Sequence, residues 1–277
     1  GWSVGLAIGD SIGDTITLKE ADVIVCTSEK LDSILRNSPE ILEQLSIVIA
    51  DEVHLVNDFI RGPTLEMNLA RIQHYCPKVQ IIALSATIGN AEMIASWLDA
   101  EVITSNWRPV ELEIGILSGH QILNKKIVDR NGSRIISNTS LIPQKTKFPI
   151  LDKCEFVANQ GGQTLVFVSS RKSASALARE IGKNRLKNLT EYKLIELYES
   201  LATSFLSLEE QTKSSEIQAH ALRGGCAFHH AGLTGKQRGF IEKKFRKGEI
   251  IFLSATPTLA AGVNLPARCV IIRDLKR

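Results

Sequence analysis

Three short apolar runs, at residues 21–28 (ADVIVCTS), 46–52 (SIVIADE) and 79–87 (VQIIALSAT), each lead into a stretch of helical periodicity. Leu65, Leu69, Ile72 and Cys76 recur on one helix face, and Pro63 suits the first position of that helix. Asn90 is a candidate cap for the next helix, which carries Ile94, Trp97 and Leu98. Strands separated by helices pair in parallel, and parallel sheets are covered on both faces. The expected fold class is therefore α/β.

The pattern breaks near residues 105–113 (SNWRPVELE). Residues 110–117 alternate, and Asn131-Gly132 stands between two β-rich runs, which predicts a hairpin near 125–137. The α/β pattern resumes at 163–170 (QTLVFVSS), followed by a helix with Ala174, Leu177, Ala178 and Ile181 on one face. Leu194, Leu197, Leu201 and Phe205 align a further helix over 190–206, within a helical insertion near 183–222. Strand, helix and strand follow at 226–232, 234–247 and 250–256, and a last strand at 269–273. Two domains are expected, 1–108 and 109–277, and 277 residues suffice for both.

Several classes fall away. No apolar run approaches the roughly 18 residues of a membrane span, and the first residues lack the form of a signal peptide. The five cysteines are odd in number and widely spaced, which fits reduced thiols in a cytoplasmic protein. The formal net charge is only +3, so a nucleic-acid partner has to meet a local basic surface.

Ligands of open parallel sheets bind at the carboxyl ends of the strands. Asp51 and Glu52 stand at such an end, with His54 two residues on. An acid at the tip of an apolar strand is the Walker B arrangement: the Asp holds Mg²⁺ and an acidic neighbour handles the attacking water. A helix cap or solvated turn is the alternative. The phosphate cradle of that pattern, G-x-x-x-x-G-K-[ST], is absent; the Gly-Lys pairs at 182–183 and 235–236 run into Asn184 and Gln237. Either the acids serve another purpose or the first domain lacks its front, and the second is expected. A third reading, a Mg²⁺-dependent nuclease built on the two acids, requires no nucleotide.

Ser85 and Thr87 form a hydroxyl pair that can exchange hydrogen bonds with a histidine at a neighbouring strand end, or simply cap a helix. Thr27-Ser28, Ser169-Ser170-Arg171 and Thr256-Pro257 each fall where a strand is expected to become a helix. Helix N-termini bind anions, and a row of them could hold successive phosphates of one strand without reading its sequence. Taken singly, capping explains each. Cys226, His229 and His230 read C-x-x-H-H, but no second ligand pair stands at zinc spacing. Lys243, Lys244, Arg246 and Lys247 read as a solvated helix face.

Taken together, DEVH (51–54), SAT (85–87), TSEKLDS (27–33), RGPTLE (61–66), FVSSRKSA (167–174), FHHAGL (228–233) and ATPTLAAGVNLPAR (255–268) resemble the motif series of superfamily 2 DExH-box helicases. The set is most similar to the superkiller-like branch, and within it to the archaeal Holliday-junction-migration (Hjm) helicases. The likeness covers almost the whole chain, and its last motif is long and specific. It implies two RecA-like domains, the first truncated at its N-terminus, with the family's Walker A loop and final arginine motif outside the chain. It also implies ATP and Mg²⁺ as cofactors. Asp51 would hold Mg²⁺ through water, Glu52 would act on the attacking water, and His54 would couple the site to Ser85 and Thr87. Gly262 and Asn264 would line the nucleotide cleft. Thr27, Ser28, Arg61, Ser169, Ser170, Arg171, His229, His230 and Thr256 would contact nucleic acid. The implied activity is 3′-to-5′ movement on single-stranded or branched DNA during repair of stalled forks, with RNA as the competing substrate. The expected protein is a cytoplasmic monomer, and residues 1–277 alone are expected to be inactive as an ATPase.

Overall fold

A computed structural model describes residues 1–8, 18, 20–86, 89–105, 107, 110–129, 132–136, 139–259 and 264–274. Thr87, Asn131 and Gly262 lie outside the described residues. The chain divides into two compact units, residues 1–105 and 106–277. Among the described residues no helix is long and apolar enough to cross a membrane.

In the first unit, β1 (Val4–Ala7) pairs in parallel with β2 (Val23–Cys26), and β3 (Ile47–Ala50) with β4 (Gln80–Ala83). The helices are α1 (Ser28–Asn37), α2 (Gly62–Tyr75) and α3 (Ala91–Leu98), with 3-10 turns at Pro39–Gln44 and Val53–Asn57. Thr27 starts α1 by accepting the Lys30 N–H at 3.3 Å. Pro63 sits in the first turn of α2, where no backbone donor is needed. Gly62 is required there, because a Cβ would lie 2.2 Å from the Val56 carbonyl oxygen. Asn90 holds the N-cap position of α3, yet its side chain makes no capping bond. Two contacts pin α1 along α2: Asn68 Nδ2 donates to the Ser28 carbonyl at 2.7 Å, and Arg71 Nη1 donates to Asp32 at 2.8 Å. The helices cover one face of the strands, packing Leu69, Ile94 and Leu98 on Ala50 and Val53. On the other face Val4, Leu6, Val25, Ile47, Ile49 and Leu84 are exposed, so the described residues of the first unit cover only one face.

The second unit opens with an antiparallel meander, β5 (Leu112–Ser118), β6 (Gln121–Asp129) and β7 (Gly132–Ile136), with β8 (Ser140–Leu141) paired to β6. Asp129 pairs with Gly132, so the hairpin closes within the expected range. The main sheet is all parallel and ordered β10-β11-β9-β12. Its strands are β9 (Thr164–Phe167), β10 (Cys226–His229), β11 (Phe252–Ala255) and β12 (Cys269–Ile272). Around it lie α4 (Pro149–Ala158), α5 (Arg171–Asn188), α6 (Tyr192–Leu206), α7 (Lys213–Leu222) and α8 (Gly235–Arg246). The edge strand β10 and its inner neighbour β11 are buried at every residue, which is why they read as mostly apolar runs.

Small residues and one buried cation join the helical insertion to this core. A Cβ on Gly182 of α5 would meet the Ala221 carbonyl oxygen at 2.8 Å, and one on Gly224 would meet the Gly182 oxygen at 2.3 Å. Arg185 then clips three elements: Nε donates to Glu155 of α4 at 2.5 Å, Nη1 donates to the Gly224 carbonyl at 2.6 Å, and the guanidinium lies 6.0 Å from the Tyr198 ring of α6. Buried Asp152 ties the meander to α4. It accepts the N–H groups of Lys145 and Thr146 and lies 2.9 Å from His120 Nε2.

Candidate nucleotide and nucleic-acid sites

The end of β3 is tied to the end of β4. Leu84 N–H donates to the Ala50 carbonyl at 2.8 Å, and Val53 N–H donates to the Leu84 carbonyl at 2.9 Å. Between these bonds the chain turns through Asp51 and Glu52, both exposed. Asp51 Oδ1 accepts the Glu52 N–H at 2.9 Å. Glu52 has φ 53°, the left-handed region that side-chain-bearing residues rarely occupy and that clusters at functional sites. This turn puts Glu52 Oε2 at 3.2 Å from His54 Nδ1, and the same nitrogen lies 3.2 Å from Ser85 Oγ. His54 thus bridges the acid at one strand end and the hydroxyl at the next, as expected from the sequence; Thr87 lies outside the described residues.

Among the described residues no lysine or arginine pairs with Asp51 or Glu52, and no cluster of three or more His, Cys, Asp or Glu could hold a metal by itself. Two open carboxylates with no further protein ligand suit Mg²⁺, which takes one or two carboxylates and completes its shell with water and substrate phosphates.

Thr27 is exposed at the start of α1, beside Ser28, whose carbonyl is taken by Asn68. Arg61 is exposed before α2, in a loose 3.5 Å pairing with Asp58. N–H groups from Arg61 and Ile60 converge on the Asp58 carboxylate and hold its pKa down.

In the second unit the strand order lays the candidate residues in a row along the carboxyl edge. From β10 to β12 come His229-His230, Thr256, Ser169-Ser170-Arg171 and Arg273-Asp274. Backbone bonds hold neighbours together: Thr256 N–H to the His229 carbonyl, Val168 N–H to the Ala255 carbonyl, and Arg273 N–H to the Phe167 carbonyl. Ser169, Ser170 and Arg171 are exposed, and Ser170 caps α5 by accepting the Ser173 N–H at 3.1 Å.

Three of the expected contact residues are buried. His229 is buried, with Nε2 2.9 Å from Glu242 Oε1 of α8. His230 is buried too: its ring stacks on Phe228 with centroids 5.2 Å apart, and Nδ1 accepts the Gly232 N–H. Burial lowers the pKa of both. One nitrogen of each ring is held inside the fold, while His229 Nδ1 is buried without a partner among the described residues. Thr256 is likewise buried, its hydroxyl 2.8 Å from that of Thr258, and Pro257–Leu259 form a 3-10 turn. Asn264 is exposed and its carbonyl accepts from Arg246 Nε at 3.4 Å; Gly262 lies outside the described residues.

Sequence reasoning missed Arg273 and Asp274. Asp274 Oδ2 accepts both the N–H of Ser169, at 2.8 Å, and its hydroxyl, at 2.9 Å. Arg273 first, then Ser169, hold the Asp274 pKa at about 2. The signal was a charged pair directly after an apolar strand, the same signal that marked Asp51 and Glu52.

Residues 4–94 match the DEAD/DEAH box helicase family, and residues 146–277 match the helicase conserved C-terminal domain. The chain thus carries a DEAD/DEAH box helicase domain followed by a helicase conserved C-terminal domain. Both units hold parallel-stranded α/β sheets, which is consistent with two RecA-like domains. Over all of its 277 residues this helicase chain is 43% identical to the ATP-dependent DNA helicase Hel308 of Methanocella arvoryzae. It is 38% identical, again over the whole chain, to the protein of the same name from Thermoplasma volcanium. It spans 36% and 37% of those two proteins' lengths.

Proposed function

We propose that this chain supplies the hydrolytic acids and strand contacts of an ATP-dependent DNA helicase that moves 3′ to 5′ on single-stranded or branched DNA and serves the repair of stalled forks. The supporting observation is the Glu52–His54–Ser85 chain, which links an open acid pair to a neighbouring strand end through one imidazole. Asp51 would hold Mg²⁺ through water, and the bound ion would supply positive charge against the phosphates of ATP. Glu52 orients and deprotonates the attacking water. His54 carries the change at Glu52 to Ser85 and Thr87. Asn264 and Gly262 contribute to nucleotide binding from the second domain.

Thr27, Ser28 and Arg61 in the first domain, and Ser169, Ser170 and Arg171 in the second, hold the phosphates of one strand. His229, His230 and Thr256 shape that edge from beneath. Cycles of ATP binding and hydrolysis shift one domain's phosphate contacts relative to the other's. The relatives' names favour DNA over RNA as the substrate. The protein works as a cytoplasmic monomer.

Residues 1–277 contain no G-x-x-x-x-G-K-[ST]. This favours a second statement about the chain by itself: it binds single strands without turning over ATP. Fluorescence anisotropy with a labelled dT oligonucleotide tests the strand contacts. The expected result is binding that weakens steeply from 50 to 200 mM salt and exceeds binding to blunt duplex. A folded chain with no affinity for the oligonucleotide at 50 mM salt removes the reading.

A further inference from the structure

The N–H and hydroxyl of Ser169 converge on one oxygen, Asp274 Oδ2, at 2.8 and 2.9 Å. Two donors aimed at a single oxygen form an anion-binding fork, the arrangement by which backbone and hydroxyl groups hold phosphate oxygens. Arg273 adds two contacts to the same carboxylate, from Nε to Oδ1 at 3.0 Å and from Nη2 to Oδ2 at 3.3 Å. The parallel register of β12 on β9, with Ile272 opposite Phe167, carries Asp274 to this position across 105 residues of sequence. Ser169 and Arg273 are both exposed, so the fork opens to solvent. The fork therefore already holds an anion, and that anion belongs to the protein itself.

We propose that Asp274 is a built-in stand-in for phosphate: it fills the Ser169 fork while no strand is bound, and a backbone phosphate displaces it. The inference rests on the reading of this edge as a nucleic-acid contact. On displacement the carboxylate stays on Arg273, which keeps its charge paired. No bond is made or broken. The incoming phosphate must compete with a carboxylate for the same two donors, and both are negative. The contact is consequently weakened and made easy to exchange, which suits a site that releases one phosphate and takes the next.

The test is anisotropy titration of a labelled dT oligonucleotide with the full chain and three variants: Asp274→Asn, Ser169→Ala, and the two combined. The Asn carboxamide still accepts from Ser169 but carries no charge. The expected result is binding about three- to tenfold tighter for Asp274→Asn at 50 mM salt, with the gain shrinking at 300 mM. The gain should vanish in the Ser169→Ala background. Asp274→Ser provides the same comparison should the Asn variant melt well below the parent. If the parent binds and neither variant tightens binding, or if the gain persists without the Ser169 hydroxyl, Asp274 is a turn cap and the proposal is overturned. If the folded parent and all variants fail to bind, the nucleic-acid reading of the edge fails and takes the proposal with it.

Discussion

His54 Nδ1 lies 3.2 Å from Ser85 Oγ, so one imidazole spans the ends of two paired strands. It also lies 3.2 Å from Glu52 Oε2, so the ring links the proposed hydrolytic acid to the end of β4. Removing the hydroxyl leaves the acids in place and breaks the route. In a protein that hydrolyses ATP with this segment, Ser85→Ala should leave DNA-stimulated hydrolysis within about threefold of the parent. Strand separation should fall about tenfold, roughly 1.4 kcal/mol of lost coupling. Parallel loss of both activities contradicts the coupling role.

Arg185 is nearly buried and holds Glu155 and the Gly224 carbonyl together. Arg185→Ala strands a partly buried carboxylate and leaves the Gly224 carbonyl with only the weak Cys226 S–H donor. Urea unfolding should show a loss of about 2–4 kcal/mol, somewhat below a fully buried pair because Glu155 retains some solvent contact. Arg185→Lys keeps the charge and loses the fork, and should fall in between.

Two glycines should respond in opposite directions to the same change. Gly182→Ala forces a methyl against the Ala221 backbone and should destabilise by about 1–3 kcal/mol. Gly239 lies inside α8 with open space where a Cβ would go, so Gly239→Ala should stabilise by about 0.5–1 kcal/mol. Equal effects at the two positions would mean that the α5–α7 approach is less tight than described.

Burial lowers the pKa of both His229 and His230 below the ordinary value of 6.5. The unfolded chain therefore binds protons more readily than the folded one once the pH drops below about 6.5. Stability is full above that value and declines as the pH falls through the lowered folded pKa values. Thermal melts should give a lower Tm at pH 5.5 than at pH 7.5. In His230→Phe, which keeps a ring against Phe228, the difference should be smaller. An unchanged difference would place the effect elsewhere.

The parts of this fold that were legible in the sequence are local. Apolar runs marked β2, β3, β4, β9 and β11, helical spacing marked α2 and α5, and Asn131-Gly132 marked a hairpin, because each depends on a few adjacent residues. The strand-end acids and His54 were legible for the same reason. Among the elements that escaped are β1, β8 and α4. β1 is a four-residue strand with a weak pattern, and α4 is short, although Leu151, Cys154 and Val157 do repeat every three residues along it. What no local pattern could give was partnership at distance. The Glu242 partner of His229, the Asp274 partner of Ser169 and the glycine contact of α5 with the end of α7 are all set by how strands and helices stack. That stacking also explains the inward-facing histidines: the end of β10 is covered by the helix that follows it, which brings Glu242 to His229.

The most direct test replaces the corresponding segment of the Methanocella arvoryzae Hel308, 43% identical over 277 residues, with this chain. The measurement is DNA-stimulated phosphate release by the chimera and by its Glu52→Gln variant. The account predicts stimulated turnover in the chimera and a loss of at least about a hundredfold in the variant, with oligonucleotide binding retained. A folded chimera without stimulated turnover, or a Glu52→Gln variant that hydrolyses ATP as fast as its parent, contradicts it.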